Sequence, residues 1–186
     1  KFIKKFKDSG YKFISFDENI KSKYNIILRH DIDFDVDHAL KMAQIENNLN
    51  IKSTYFFLQK TNFYNILNPH IIKKIKKIKK LGHSISLHFD PSIYKNNEMN
   101  RYLKEEIKLF ENIYMTKIKI ISFHRPPIKF INLKNKILGK NHTYQPLFTK
   151  KIKYYSDSRN KFRFGNPVMS IDFKLRNSMQ ILIHAC

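Results

Sequence analysis

Ile26-Ile27-Leu28-Arg29-His30-Asp31-Ile32-Asp33 is the stretch that decides the reading of this chain. Ile26-Ile27-Leu28 is a short apolar run of the kind that forms a buried strand, and a cluster of charge at the end of such a run needs a physical reason. Side chains alternate along an extended backbone, so Asp31 and Asp33 share one side of the strand while His30 points to the other. Two carboxylates facing one small volume repel unless a cation or a shared proton relieves them. The expectation is a metal site with a general base beside it. An isolated Asp-x-Asp often means only a pair of solvated acids.

The pattern recurs along the chain, which weighs against that plainer reading. His88 follows Ile85-Ser86-Leu87, with Asp90 two residues on. His124-Arg125-Pro126-Pro127 follows the run from Ile118 to Phe123, Ser156-Asp157 follows Ile152-Lys153-Tyr154-Tyr155, and His184 follows Ile181-Leu182-Ile183. In parallel α/β architectures the loops leaving the C-terminal strand ends build one site, so these groups are expected to converge.

Helical stripes alternate with the runs. Val36 to Leu49 carries apolar residues at Ala39, Leu40, Ala43 and Ile45, and Ser53 to Leu58 reads as the next buried strand. Asn68-Pro69 signals a helix start, Ile71, Ile75, Ile78 and Leu81 keep helical spacing, and Gly82 supplies the stop. Tyr102, Leu103, Ile107, Phe110 and Ile113 form a third stripe. The order predicts a parallel sheet wrapped by helices in a single domain spanning residues 1–186. Between Ile128 and Lys151 only a short helix near 133–138 is expected, in a segment otherwise of loop character.

Composition narrows the classes. The chain has 186 residues, with 36 Lys plus Arg against 15 Asp plus Glu, a formal net charge of +21. That charge attracts polyanions. No helix-turn-helix, zinc-finger or aromatic RNA-binding signature accompanies it, so a specific nucleic-acid partner is not expected. The lysines between Pro69 and Leu81 are read as a solvated helix face. Cys186 is the one cysteine, which excludes an internal disulfide and a cysteine zinc site and fits a reducing, cytoplasmic setting. No apolar run is long enough for a membrane span. The chain starts at Lys1 rather than a methionine, so the reading allows for a longer parent with an anchor or signal elsewhere. Oligomeric state is left open.

Taken in order, Leu28 to Asp33, Gly82-His83-Ser84-Ile85-Ser86-Leu87-His88, His124-Arg125-Pro126-Pro127, Asp157-Ser158-Arg159 and Leu182-Ile183-His184 resemble the motifs of the polysaccharide deacetylase family, the NodB-like carbohydrate esterases. Within it they are most similar to a branch associated with bacterial surface-polysaccharide biosynthesis. The resemblance implies a distorted (β/α) barrel of about seven parallel strands and a divalent-metal-dependent hydrolase, with zinc the expected ion, that removes an N-acyl group from an amino sugar. It makes Asp31 the general base, Asp33 and His88 metal ligands and His184 the general acid. Arg125 becomes the arginine that holds the base, and Asp157 the acid that tunes His184.

The chain departs from the family at Ser92, where most members place a second metal-binding histidine. His124 and Asp90 are both open as the third ligand. His124 is favoured because an Asp-His-His set suits borderline metals. Tyr155, Phe89 and Arg159 are the expected substrate contacts, with Tyr154 beside them. The chain has no Trp, so the groove tryptophan of many relatives is missing and a smaller glycan or precursor sugar is the expected substrate. A relative that binds glycan after losing its metal, and a basic nucleic-acid-binding domain, are the competing readings. His30 and His83 are expected in structural roles, and His38, His70 and His142 at helix surfaces or in loops.

Overall fold

The computed structural model describes residues 2–95, 97–158, 161–162 and 164–185. Its framework is a curled sheet of parallel strands, β1 (Lys12–Ile14), β2 (Asn25–Ile32), β3 (Thr54–Leu58), β4 (Ser84–Phe89), β5 (Ile120–Phe123), β6 (Asn141–His142), β7 (Lys153–Ser156) and β8 (Met179–Leu182). Seven of them run in the order β6-β5-β4-β3-β2-β8-β7, and β1 pairs with the start of β2. This is a half-barrel: β6 and β7 are the two ends of the path, and residues 143–152 connect them.

Among the described residues five α-helices accompany the sheet: α1 (Phe2–Asp8), α2 (Val36–Asn48), α3 (Pro69–Lys80), α4 (Met99–Tyr114) and the single-turn α5 (Ile171–Lys174). Each long helix begins or ends for a local reason. Asp35 caps α2 by accepting from the backbone N–H of Asp37 and His38, and Asn68 caps α3 with Pro69 in the first turn. After α3 the chain turns at Gly82, whose φ of +89° an L side chain rarely adopts. Buried Ile75 and Ile78 of α3, and Leu103, Ile107 and Phe110 of α4, pack against Tyr55, Phe57, Leu87 and Phe123 on the outer face of the sheet.

Alternation along the strands sorts their buried residues between two interiors. Ile26, Leu28, Met179, Ile181 and Tyr155 join an outer cluster under α1 and the C-terminal segments. Ile14, Phe16, Ile27, Phe56, Ile120, Phe148 and Ile152 fill the lumen at its floor. Above that floor the lumen turns polar.

Three details differ from the sequence expectation. The segment near 133–138 is not helical; Leu138 and Gly139 both have positive φ, and the chain doubles back so that Ile137 bridges Lys140. His142 is fully buried on the short strand β6 rather than lying on a surface. Pro146 opens a wide helical turn over Leu147–Lys151.

His30 points outward, away from the acids, as its position requires. Its Nδ1 donates to Ile183 O at 2.9 Å and its Nε2 to Glu46 Oε1 at 2.7 Å, so both ring nitrogens face acceptors and the ring is held as imidazolium. Glu46 Oε2 also accepts from Ser53 Oγ and Tyr55 OH. Burial opposes charge on both partners. Their mutual attraction outweighs it, raising His30 from its ordinary 6.5 and lowering Glu46 from 4.5. The pair's contribution is therefore fully present above pH 4.5 and below pH 6.5. It is lost as pH rises through the raised His30 value or falls through the lowered Glu46 value. Glu46→Gln should cost about 3–5 kcal/mol in denaturant melts inside that window. The gap to wild type should narrow toward both acid and alkaline pH.

Candidate active site

The polar layer of the lumen starts at Arg29. It lies two residues before Asp31 on β2, so both side chains enter the lumen from the same face. The guanidinium is fully buried. Its Nε donates to Asp31 Oδ1 at 3.1 Å and its Nη2 to Asp31 Oδ2 at 2.7 Å. Nη1 reaches Gln180 Oε1 on β8 at 3.2 Å, and Nη2 also donates to Ser122 Oγ on β5 at 3.0 Å. The rings of Phe56, Tyr144 and Tyr154 surround it at 5.3–5.8 Å. Burial works against charge on Asp31, but Arg29 and then His88 outweigh it and hold the carboxyl below its usual range.

One level higher stand Asp33, His88 and His124. His88 Nε2 lies 3.3 Å and His124 Nδ1 3.5 Å from Asp33 Oδ1, and the imidazole planes cross at 87°. One ligand atom from each residue falls within 4.8 Å of the others. The donor set fits a divalent cation on two grounds. Tetrahedral ligands roughly 2.0–2.1 Å from one ion stand about 3.4 Å apart, close to the observed separations. Asp33 Oδ1, at the centre of the group, is buried without a hydrogen-bond partner among the described residues, as an oxygen meant for a metal would be. Burial raises the Asp33 carboxyl, and the two imidazoles outweigh it and hold it far below the usual range.

The remaining pair is Asp157 and His184, at the ends of β7 and β8. Asp157 accepts the His184 backbone N–H at 3.1 Å on each oxygen, and the ring Nδ1–H at 2.6 Å. Burial lowers His184; Asp157 and the charge of Asp31 outweigh it and raise the imidazole above its ordinary 6.5. A cavity of about 810 Å³ opens over all these groups, lined also by Phe34, Arg125, Tyr144, Tyr154 and Leu182. A second cavity of about 260 Å³ lies at the opposite strand ends, by Thr54, Ser84 and Ile120, and holds none of them.

The lumen thus brings together Asp31, Asp33, His88, His124, Asp157 and His184, and it departs from expectation elsewhere. Asp31 is gripped by Arg29. Arg125 is exposed at the rim and, among the described residues, makes no hydrogen bond or ion pair with Asp31. Asp90 is not in the ligand group with Asp33. It caps the turn at Pro91–Ile93, accepting from the Ser92 backbone N–H and from Ser92 Oγ, so the position expected for a second histidine is bound up in that cap. Phe89 is not a substrate contact; next to His88 it must face outward, where it is fully buried against Tyr94 and Phe123. Tyr155 is likewise buried on the outer face with its OH donating to Asp172 at 2.8 Å, and the adjacent Tyr154 lines the cavity in its place. Arg159 lies outside the described residues. Arg29 itself was legible as the one residue sharing the face of Asp31 a single strand period earlier.

No protein-family model and no curated protein matches the chain. Solved structures do. A chitin deacetylase from the fungal pathogen Colletotrichum lindemuthianum aligns with a TM-score of 0.54 at 15% identity, covering 86% of this chain and 73% of that one. A family 4 carbohydrate esterase from Bacillus anthracis aligns at 0.55 and 15% identity over 100% of this chain and 78% of that one. The peptidoglycan deacetylase PdaC from Bacillus subtilis aligns at 0.55 and 11% identity over 86% and 74%. A family 4 pseudoenzyme is also among the matches, at 0.54 and 10% identity over 87% and 56%. At such identities the likeness carries the fold, which is that of the NodB-like deacetylases.

Titration with zinc should give one ion per chain, lost in Asp33→Asn and in His124→Ala but retained in Asp90→Asn. Arg29→Met should cost about 3–5 kcal/mol in a denaturant melt, because it leaves the Asp31 charge buried and unpaired.

Proposed function

We propose that this chain is a metal-dependent N-deacylase acting on an amino sugar, with acetyl the acyl group and a surface-glycan or its precursor sugar the substrate class. The observation that carries the reading is that Asp31, a carboxyl lowered below its usual range, and His184, an imidazole raised above its ordinary value and bonded to Asp157, open into the same cavity as a group of three potential metal ligands. The fold shared with chitin and peptidoglycan deacetylases supports it.

An amide resists water because its carbonyl carbon is poorly electrophilic. A divalent ion, for which the mixed nitrogen and oxygen donors favour zinc, would polarise the carbonyl and acidify water. Asp33, His88 and His124 would hold it. Asp31 takes the proton of the attacking water at its carboxylate, while Arg29 fixes the orientation of that carboxylate. His184 gives its Nε2 proton to the departing amine, and Asp157 on Nδ1 sets the tautomer and supports the charge. Positioned acid and base groups of this kind are worth about 10²–10⁴-fold in rate. Among the described residues no helix is long and apolar enough to cross a membrane.

Acetate release from N-acetylated glycan precursors, followed with metal-loaded protein, tests the proposal. Asp31→Asn and His184→Ala should each lower kcat by about 10²–10⁴-fold. Chelation should abolish release and zinc restore it. No release from any precursor, together with no bound metal, would mark a glycan-binding relative instead. The raised pKa of His184 puts the alkaline limb of the activity profile above pH 6.5. Asp157→Asn removes the group that raises it and should move that limb to lower pH.

A further inference from the structure

Arg29 does the work expected of Arg125, which leaves Arg125 without an assigned partner at the mouth of the site. Its backbone φ is +47°, a left-handed conformation that is costly for a non-glycine residue and persists where the surroundings impose it. The two prolines that follow, Pro126 and Pro127, stiffen the same turn. Arg125 lines the main cavity and also a second cleft of about 510 Å³ that continues past the metal group. The two share Asp33, Phe34, His124 and Arg125, so a molecule longer than one ring would enter both.

The continuation has a chemical character of its own. Phe34 and Phe63, 46% and 63% exposed, meet edge to face with centroids 4.6 Å apart. Exposed aromatic faces of this kind pack on the apolar faces of sugar rings. Lys60 stands in the same cleft, its Nζ 4.6 Å from the ring centre of Tyr94 and 5.0 Å from that of Tyr102, so two aromatic faces hold the ammonium in place. Of the carboxylates lining the cleft, Asp33 faces the two imidazoles and Asp90 is hydrogen-bonded to Ser92. The two cations therefore outnumber the one carboxylate outside the metal group.

We propose that this cleft is a subsite for an anionic group, a sugar carboxylate or a phosphate, carried by the unit adjoining the acylated amino sugar, with Arg125 as its specificity-determining residue and Phe34–Phe63 as the stacking surface. The assignment rests on the amino-sugar reading above and narrows the substrate to acidic or phosphorylated glycans. Arg125 presents a planar fork suited to bidentate contact with either anion. Lys60 adds a point charge behind it.

Equilibrium binding measured by calorimetry tests this without depending on turnover. Three probes are compared on His184→Ala, which blocks the acid step: a hyaluronan tetrasaccharide, which supplies a carboxylate, UDP-N-acetylglucosamine, which supplies phosphates, and neutral chitotetraose. At least one anionic probe should bind about tenfold tighter than chitotetraose at low salt. Which one does so identifies the anion. Adding Arg125→Gln should erase the preference without changing the melting temperature. Lys41→Gln, on the exposed surface of α2, should leave the preference intact. Equal affinity for all three probes, a preference that survives Arg125→Gln, or one that Lys41→Gln weakens equally would each overturn the proposal. If acetate release fails while the Arg125-dependent preference holds, only the deacylase reading falls.

Discussion

A fully buried guanidinium is the constraint around which this half-barrel is organised. An uncompensated charge in an apolar interior is prohibitively costly, so Arg29 requires acceptors from every side of the lumen. It finds them on β2 through Asp31, on β5 through Ser122 and on β8 through Gln180, with the rings of Tyr144 and Tyr154 closing the remaining faces. Those contacts tie together strands far apart in sequence. They also separate the apolar floor of Phe56, Ile120 and Phe148 from the reactive layer above. Asp31 is thereby held in one orientation by the fold itself, the kind of preorganisation that the proposed role as base would require.

The electrostatics of the reactive layer follow from pairing. Each of its three acids has its own basic partner: Arg29 for Asp31, the two imidazoles for Asp33, and His184 for Asp157. Chemically identical carboxylates acquire different tasks because their partners differ. Arg29 keeps its charge, so Asp31 rests as a carboxylate able to accept a proton. Neutral imidazoles can share a metal with Asp33. His184 can surrender a proton, and Asp157 controls when it does.

Much of this was legible in the sequence. The apolar runs, the caps at Asp35 and Asn68 and the helical stripes placed most of the strands and the three long helices. Polar residues at the strand ends pointed to the groups that line the main cavity. The alternation rule that separates Asp31 from His30 governs the other strand ends as well. Applied to His88–Phe89 and to Tyr154–Tyr155, it sends Phe89 and Tyr155 outward and keeps Tyr154 in the lumen. The period of two puts Arg29 on the face of Asp31, but its complete burial is not a sequence property, because a charge next to a strand end looks the same whether it is solvated or enclosed. Asp90 could not be told from a ligand because a capping turn and a coordinating loop use the same residue types. The stretch from Ile128 to Lys151 was opaque for a different reason: its conformation is set by positive-φ turns and by packing into the lumen rather than by any periodic pattern.

That stretch has a consequence for how such a molecule can diversify. Residues 143–152 complete the wall between β6 and β7 without a strand ladder, using Tyr144 beside Arg29 and Phe148 under Gln180, whose Nε2 donates to Phe148 O. In a closed barrel, changing the width of the chamber means adding a strand or slipping a register, and a slip of one residue would turn every lumen side chain outward. Here the wall is a tether anchored at two points. Its length and residues between those anchors can vary while all the hydrogen-bonded strands keep their partners, so the chamber can change width and lining without disturbing the frame that aligns Asp31, Asp33 and His184.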